Sequence, residues 1–191
     1  MIPPSLHHPL RTAAAALLTV TALATAPAPA TAAPAEMRTV LRCRIATSGE
    51  RPITFSPELT TQPRLIHVTG TFRVTGCTSP DGSERRLHDG VATIRGSGLA
   101  SCSGATRITG SGKVVWYDTA GRRAGLSTLR PTLNAVSSYN PADALLVGTV
   151  TRGPLTGTSV SGSATPTSDL SRCASSGLST VRGKGTVRFL R

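Results

Sequence analysis

Residues 106–117, TRITGSGKVVWY, alternate in a pattern that decides the fold class. Small or apolar residues occupy every second position from Thr106 to Trp116, and mostly polar residues lie between them. A period of two is typical of a strand and does not fit a helix. The next residues, DTAG at 118–121, favour a turn because Asp bonds its own downstream backbone and Gly accepts a positive φ. We therefore expect a second strand, at residues 122–130, to fold back as a hairpin.

Gly110 and Gly112 share the predicted face of Trp116. Glycine in a strand costs backbone entropy and buries no side chain, so it is expected where another backbone or a large side chain comes close. The Gly-x-Gly motif recurs at residues 96–98 and 183–185, also inside predicted strands. No helix is predicted to follow these motifs, so they are not phosphate-binding loops. We predict that Trp116 fills the core and is not a platform for a ligand.

The same alternation predicts the rest of the fold. In the longest run, RLIHVTGTFRVTGC at residues 64–77, Cys77 falls out of phase, so either the strand ends before it or a bulge redirects it. No segment has an apolar period of 3.6 residues. About eight or nine short strands predict an all-β fold, an antiparallel sandwich or barrel. The other predicted strands are residues 37–45, 53–55, 91–101, 144–152, 155–164 and 180–190.

The N-terminal region has the pattern of a secretory signal peptide. Arg11 supplies a positive charge, and residues 12–24 form an Ala/Leu/Val run too short to span a bilayer. We predict a signal peptide over residues 1–32, with cleavage near residue 32 or 35, and a single β-domain over residues 36–191. The protein is expected to be secreted, extracellular or associated with the cell wall, with no transmembrane segment after signal removal.

The chain of 191 residues is strongly basic, with 21 Lys and Arg, nine Asp and Glu, and a formal charge of +12. Removal of the signal peptide takes away one base, Arg11, and no acid, which leaves +11. Such a charge implies attraction to polyanions, such as anionic wall polymers, lipid headgroups or nucleic acid. Arginine and alanine richness also suits a GC-rich genome, so composition alone does not separate binding from codon usage.

Four cysteines, Cys43, Cys77, Cys102 and Cys173, favour two disulfides in an exported chain. Their spacing offers no zinc site, and we expect neither a metal nor another cofactor. If successive strands alternate in direction and residues 53–55 count as a strand, Cys43 and Cys77 end up at one end of the fold. Cys102 and Cys173 then lie at the other end. This favours the disulfides Cys43–Cys77 and Cys102–Cys173, although one crossover would spoil the assignment.

Basic residues gather on the first and last predicted strands. They are Arg38, Arg42, Arg44, Arg182, Lys184 and Arg188. Two interpretations are open: a solvated outer face whose Arg stems cover apolar surface, or a binding site for a polyanion. If the two strands are neighbours, like charges repel unless acids or a bound anion intervene. Strand alternation makes their pairing parallel, which counts against it.

Residues 78–90 form the most ionisable segment of the chain. His88 and Asp89 are adjacent there, but a nucleophilic site needs a Ser within hydrogen-bond reach of the imidazole. Neither a G-x-S-x-G nor an HExxH motif is present. Asp81, Glu84 and Asp89 lack the ligand alternation of a calcium loop. Aromatic residues are too few for base-stacking platforms, so sequence-specific nucleic-acid binding is not expected.

Strand motifs run through nearly the whole mature chain. Their most specific part is a Cys followed by a strand, Trp116, a turn and a Ser. The motifs are ITFSPELTTQP (53–63), VTGTFRVTGCTS (68–79), GSGLASC (96–102), GSGKVVWYDTAGRRAGLSTL (110–129), LLVGTVTRGPLTG (145–157) and GKGTVRF (183–189). They resemble a family of small exported β-proteins from high-GC Gram-positive bacteria, whose function is not known. The resemblance implies an all-β fold and secretion, and it transfers no catalytic or binding residue. The high content of Lys and Arg in this chain departs from the family's pattern.

Export, charge and the lack of a catalytic constellation together indicate a non-catalytic secreted β-domain whose basic surface binds anionic envelope or extracellular polymers. One alternative is a secreted hydrolase that uses residues 78–90. Another is a protein-binding or inhibitor module that uses a loop predicted at residues 131–141. The sequence does not indicate an oligomeric state.

Overall fold

The computed structural model describes residues 37–132, the backbone of 135–137, and residues 146–191. The predicted signal peptide and its cleavage points lie outside these residues. Within them the chain forms eleven strands and one short helix, α1 (Arg172–Ser175). The strands are β1 (Thr39–Thr47), β2 (Ile53–Leu59), β3 (Arg64–Thr78), β4 (Asp89–Ser101), β5 (Gly104–Tyr117), β6 (Arg123–Pro131), β7 (Ala135–Ser137), β8 (Gly148–Arg152), β9 (Ser159–Pro166), β10 (Leu178–Val181) and β11 (Gly183–Leu190).

Eight strands close into an antiparallel barrel. Its order is β1, β11, β9, β8, β6, β5, β4 and β3, and β3 pairs again with β1. Outside this ring, β2 pairs with β3, β10 pairs with β2, and β7 pairs with β5. The all-β, antiparallel prediction is confirmed, and of the two architectures expected the fold is the barrel. No described helix is long and apolar enough to cross a membrane.

The directions of the first and last strands differ from the sequence prediction. β1 and β2 are both antiparallel to β3, so they run in the same direction instead of alternating. The connection between β1 and β2 lies along β3 and is hydrogen bonded to it: Ser48 N–H donates to Thr71 O, and Thr71 N–H donates to Arg51 O. β10 and β11 likewise share one direction. As a result β1 and β11 pair antiparallel, and the expectation of parallel pairing was wrong.

The two disulfides are Cys43–Cys77 and Cys102–Cys173, as predicted. The strand-alternation argument for them fails, since Cys43 and Cys77 lie on the antiparallel neighbours β1 and β3. Gly76 has a φ of +58°, and the β1–β3 register shifts by one residue beside it. This is the bulge that turns Cys77 inward.

Trp116 is fully buried and lies within the core, as predicted. It lies directly opposite Gly90 of β4, and a Cβ added at Gly90 would be 3.2 Å from the indole ring. Its Nε1–H donates to Ser127 Oγ at 2.8 Å, and Ser127 Oγ–H donates to Pro154 O at 2.6 Å. The ring meets Phe189 edge to face at 5.7 Å. The indole is thus fixed by a hydrogen bond as well as by packing.

Gly96 and Gly110 lie directly opposite each other on β4 and β5. A Cβ at Gly110 would stand 2.7 Å from Arg95 O, closer than real side chains come. This confirms the expectation that a strand glycine marks a close backbone approach.

Four segment predictions need correction. The predicted strand at residues 180–190 is two strands, β10 and β11, which are divided at Arg182. The predicted strand at residues 155–164 begins at Ser159, because Leu155 turns inward with a φ of +67° and is buried. The predicted strand at 144–152 begins at Gly148, with residues 144 and 145 outside the described chain. The loop predicted at residues 131–141 contains the short strand β7. Helix α1 was not predicted, because four residues are too short for a helical period to show.

We predict that Ser127→Ala lowers the free energy of unfolding by about 1–3 kcal/mol, because it leaves the buried indole N–H without an acceptor. Urea unfolding followed by Trp116 fluorescence measures the change. Ser161→Ala, at an exposed position of β9, is the matched control and should change stability by less than about 0.5 kcal/mol. A Ser127→Ala variant as stable as this control would contradict the role given to the hydrogen bond.

Candidate functional site

The strongest charge feature of the described chain lies on the outer face of β1 and β11. Along β1, Cys43 and Ile45 are buried, while Arg42 and Arg44 are exposed. The alternation follows from the pleat, which sends successive side chains to opposite faces. On β11, Val187 and Phe189 are likewise buried, and the exposed positions between and before them carry bases.

The register brings these bases together. Arg42 lies directly opposite Arg188, and Ala46 lies opposite Lys184. On its other edge β1 pairs with β3, which sets Arg73 opposite Ala46. Directly opposed residues of antiparallel strands project to the same side. We define the basic face as Arg42, Arg44, Arg73, Lys184 and Arg188, all of them exposed.

No ion pair among the described residues joins a member of the basic face to a carboxylate. Opposed like charges on neighbouring strands destabilise a sheet, as between Arg42 and Arg188. An anion that lies between two such guanidinium groups accepts hydrogen bonds from both and removes the repulsion. The arrangement is therefore suited to bind anions.

Two of the six predicted residues lie outside this face. The side chain of Arg38 is 3.7 Å from Asp81, whose pKa is lowered mainly by the Ser83 backbone N–H and hydroxyl. Arg182 lies between β10 and β11, where its guanidinium donates to Gly49 O at 3.3 Å. The other four, Arg42, Arg44, Lys184 and Arg188, share the outer face of β1 and β11.

Arg73 belongs to the face but was not among the predicted residues. Its position on the polar side of the longest alternating run is visible in the sequence. What the sequence does not show is that β3 pairs with β1, which places Arg73 and Lys184 on either side of Ala46.

A second polar cluster lies at Asp89, where β4 begins. Asp89 Oδ1 accepts from Gly76 N–H at 3.0 Å, and Oδ2 lies 2.8 Å from His88 Nδ1. Burial raises the pKa of Asp89, but hydrogen bonds from His88 and Gly76, with the charges of His88 and Arg44, lower it overall. The carboxylate thus orients the imidazole.

The described residues offer no hydroxyl partner to the His88–Asp89 pair. Within the described chain, no Ser or Thr hydroxyl hydrogen bonds with the imidazole, and the Ser79 and Ser83 hydroxyls bond to Asp81 instead. Nor do three or more His, Cys, Asp or Glu among the described residues gather so as to hold a metal ion. The arrangement can orient a ring and hold a backbone bulge.

Comparisons with protein-family models, with curated proteins and with solved structures find no match to this chain. The resemblance to small exported β-proteins stays a prediction. The loop predicted to serve an inhibitor lies largely outside the described residues, so that alternative also stays a prediction.

We predict that Asp89→Asn destabilises the fold at neutral pH and has little effect in acid. Because the folded pKa is lowered, the ionised carboxylate stabilises the fold fully above the ordinary value of about 3.9, and this contribution is lost as the pH falls through the folded value. The melting temperatures of the wild type and the variant should therefore converge below about pH 4. Glu50→Gln, on the exposed turn after β1, is the control. A difference that persists undiminished in acid would contradict the assignment.

Proposed function

We propose that this protein is a secreted, non-catalytic β-domain whose basic face binds anionic polymers of the cell envelope or its surroundings. The observation that carries the proposal is the antiparallel register of β1 and β11, with Arg42 opposite Arg188 and Lys184 opposite the Ala46 that also faces Arg73. Five exposed bases of one sign on one face attract a chain of negative charges.

The small free energy of each single contact favours a polymer over a small anion as the ligand. Each exposed contact between a base and an anion is worth little in water, typically under about 1 kcal/mol. Several weak contacts add up only when one ligand spans them all, and counterions released from the polymer add to the affinity. The wide, exposed spread of the basic face matches this mode of binding.

Secretion is supported by the disulfides, which form and persist mainly in oxidising compartments. The N-terminal signal pattern points the same way.

The hydrolase alternative has one observation in its favour, the 2.8 Å contact between His88 Nδ1 and Asp89 Oδ2. It lacks a hydroxyl partner for the imidazole among the described residues. Any hydrolytic activity of the purified protein that is lost in His88→Ala and in Asp89→Ala would favour it over the binding role.

We predict that Arg42→Gln with Arg188→Gln weakens binding to a labelled anionic wall polymer by roughly tenfold or more at low salt, because two charge-assisted contacts are lost. Fluorescence anisotropy over a salt series measures the affinity. The slope of log K against log salt should become shallower by about 1–2.

The control is Arg123→Gln with Arg130→Gln, which removes the same charge from exposed positions on β6. This variant should bind nearly as the wild type does. Equal loss in both variants would mean that net charge alone acts, and binding that is absent or independent of salt would refute the proposed function.

A further inference from the structure

The bases of the basic face stand in rows that cross the barrel strands. Each row contains residues that are directly opposite one another on β9, β11, β1 and β3. The first row is Ser161, Arg188, Arg42 and Thr78; the second is Ser163, Thr186, Arg44 and Thr75; the third is Thr165, Lys184, Ala46 and Arg73.

Along β9, β11 and β1, successive rows are separated by two residues, which corresponds to about 6.7 Å. On β3 the bulge adds one residue between the first two rows. The first row holds two bases, the second holds one and the third holds two. The cations therefore repeat in the strand direction, in three rows that together span about 13 Å.

Hydroxyl groups border the cations on both sides. On β9 the exposed residues of the rows are Ser161, Ser163 and Thr165, and on β3 they include Thr75 and Thr78. Each row thus combines at least one cation with at least one hydroxyl that can donate and accept. None of the twelve row positions is aromatic, so the face offers no stacking platform for a base.

These observations select among linear polyanions. A nucleic-acid strand also has six backbone bonds between successive phosphates, so the row spacing does not separate it from other polyphosphodiesters, but its bases would find no aromatic partner on the face. A chain of glycerol units joined by phosphodiesters has six backbone bonds per repeat, which extend to about 7 Å, like two residues of polypeptide. Its free hydroxyls also match the hydroxyls that flank each row.

We propose that the basic face binds a linear polyol phosphate, extended along β1 and β11 with successive phosphodiesters on successive rows. This rests on the proposed function and names its ligand. The first row grips one phosphodiester between Arg42 and Arg188, Arg44 takes the next, and Lys184 with Arg73 takes the third. The Ser and Thr hydroxyls of β9 and β3 hydrogen bond with the polyol between them.

The test measures the affinity of labelled glycerol phosphate oligomers of increasing length. For the wild type we expect a step of about tenfold between the oligomer with two phosphodiesters and the one with three, because the third reaches another pair of bases. In Arg73→Gln with Lys184→Gln the two oligomers should bind alike, since the third row has lost both charges. The Trp116 emission spectrum checks that the variant is folded. A step that survives in this variant would overturn the proposal.

Ligand class is tested at equal formal charge. The probes are a glycerol phosphate oligomer, oligothymidylate, linear inorganic polyphosphate and a heparin fragment. We expect the glycerol phosphate oligomer to bind about tenfold more tightly than the others, because its free hydroxyls add one or two hydrogen bonds to the Ser and Thr side chains of the rows.

The outcomes separate the two proposals. Equal affinities for all four probes, each lost in Arg42→Gln with Arg188→Gln, would overturn the polyol phosphate and leave the proposed function standing. Tightest binding of oligothymidylate or of the heparin fragment would overturn it in favour of nucleic acid or of a sulfated polysaccharide. No binding of any probe would overturn both.

Discussion

β1 is hydrogen bonded along both edges, to β11 on one side and to β3 on the other, and this double pairing closes the barrel. In antiparallel neighbours, opposed residues share a face, so one register decides both the core and the surface. It turns Cys43 and Val187 inward together and sets Arg42 beside Arg188 outside. Closure also brings Arg73 of β3 to the same surface. Without the pairing, the bases would lie on separate strands at opposite ends of the chain.

The free energies of the neighbouring interactions explain why the barrel closes although Arg42 and Arg188 repel each other. Opposition of two exposed bases costs roughly 0.2–1 kcal/mol. The Cys43–Cys77 disulfide, with a sequence separation of 34, contributes roughly 4 kcal/mol in the chain-entropy model. Burial of Phe189 and Val187, which lie on β11 opposite Leu41 and Cys43 of β1, adds about 1.5–3 kcal/mol for each side chain. These covalent and apolar contributions exceed the repulsion, so β1 and β11 can carry opposed like charges on their outer face.

Alternation in the sequence predicts the strand class well, because a half-buried strand has to alternate. It also predicts that Trp116 is buried and that Cys77 follows either a strand end or a bulge, since both follow from parity within one strand. The structure has the bulge. The disulfide partners were right for a reason that proved wrong, as β1 and β2 run in one direction. Direction at a turn depends on long-range hydrogen bonds, such as Ser48 N–H to Thr71 O, which leave no local signal.

The candidate site was also predicted only in part. That Arg42, Arg44, Lys184 and Arg188 face outward could be predicted from period two. Which strands are neighbours could not, so Arg73 was missed, and Arg38 and Arg182 were included although they lie outside the face. The 2.8 Å bond between His88 and Asp89 was also unforeseen, because it depends on how Gly76 holds the carboxylate.

The central claim is that barrel closure assembles one surface that binds an anionic polymer. An NMR titration of the labelled protein with a glycerol phosphate oligomer tests it most directly. We predict cross-strand contacts between Arg42 and Arg188 in the free protein. On titration, the largest amide shifts should be confined to β1, β11, β9 and the paired end of β3. Absence of the Arg42–Arg188 contacts, or shifts centred on residues 79–90, would contradict the account.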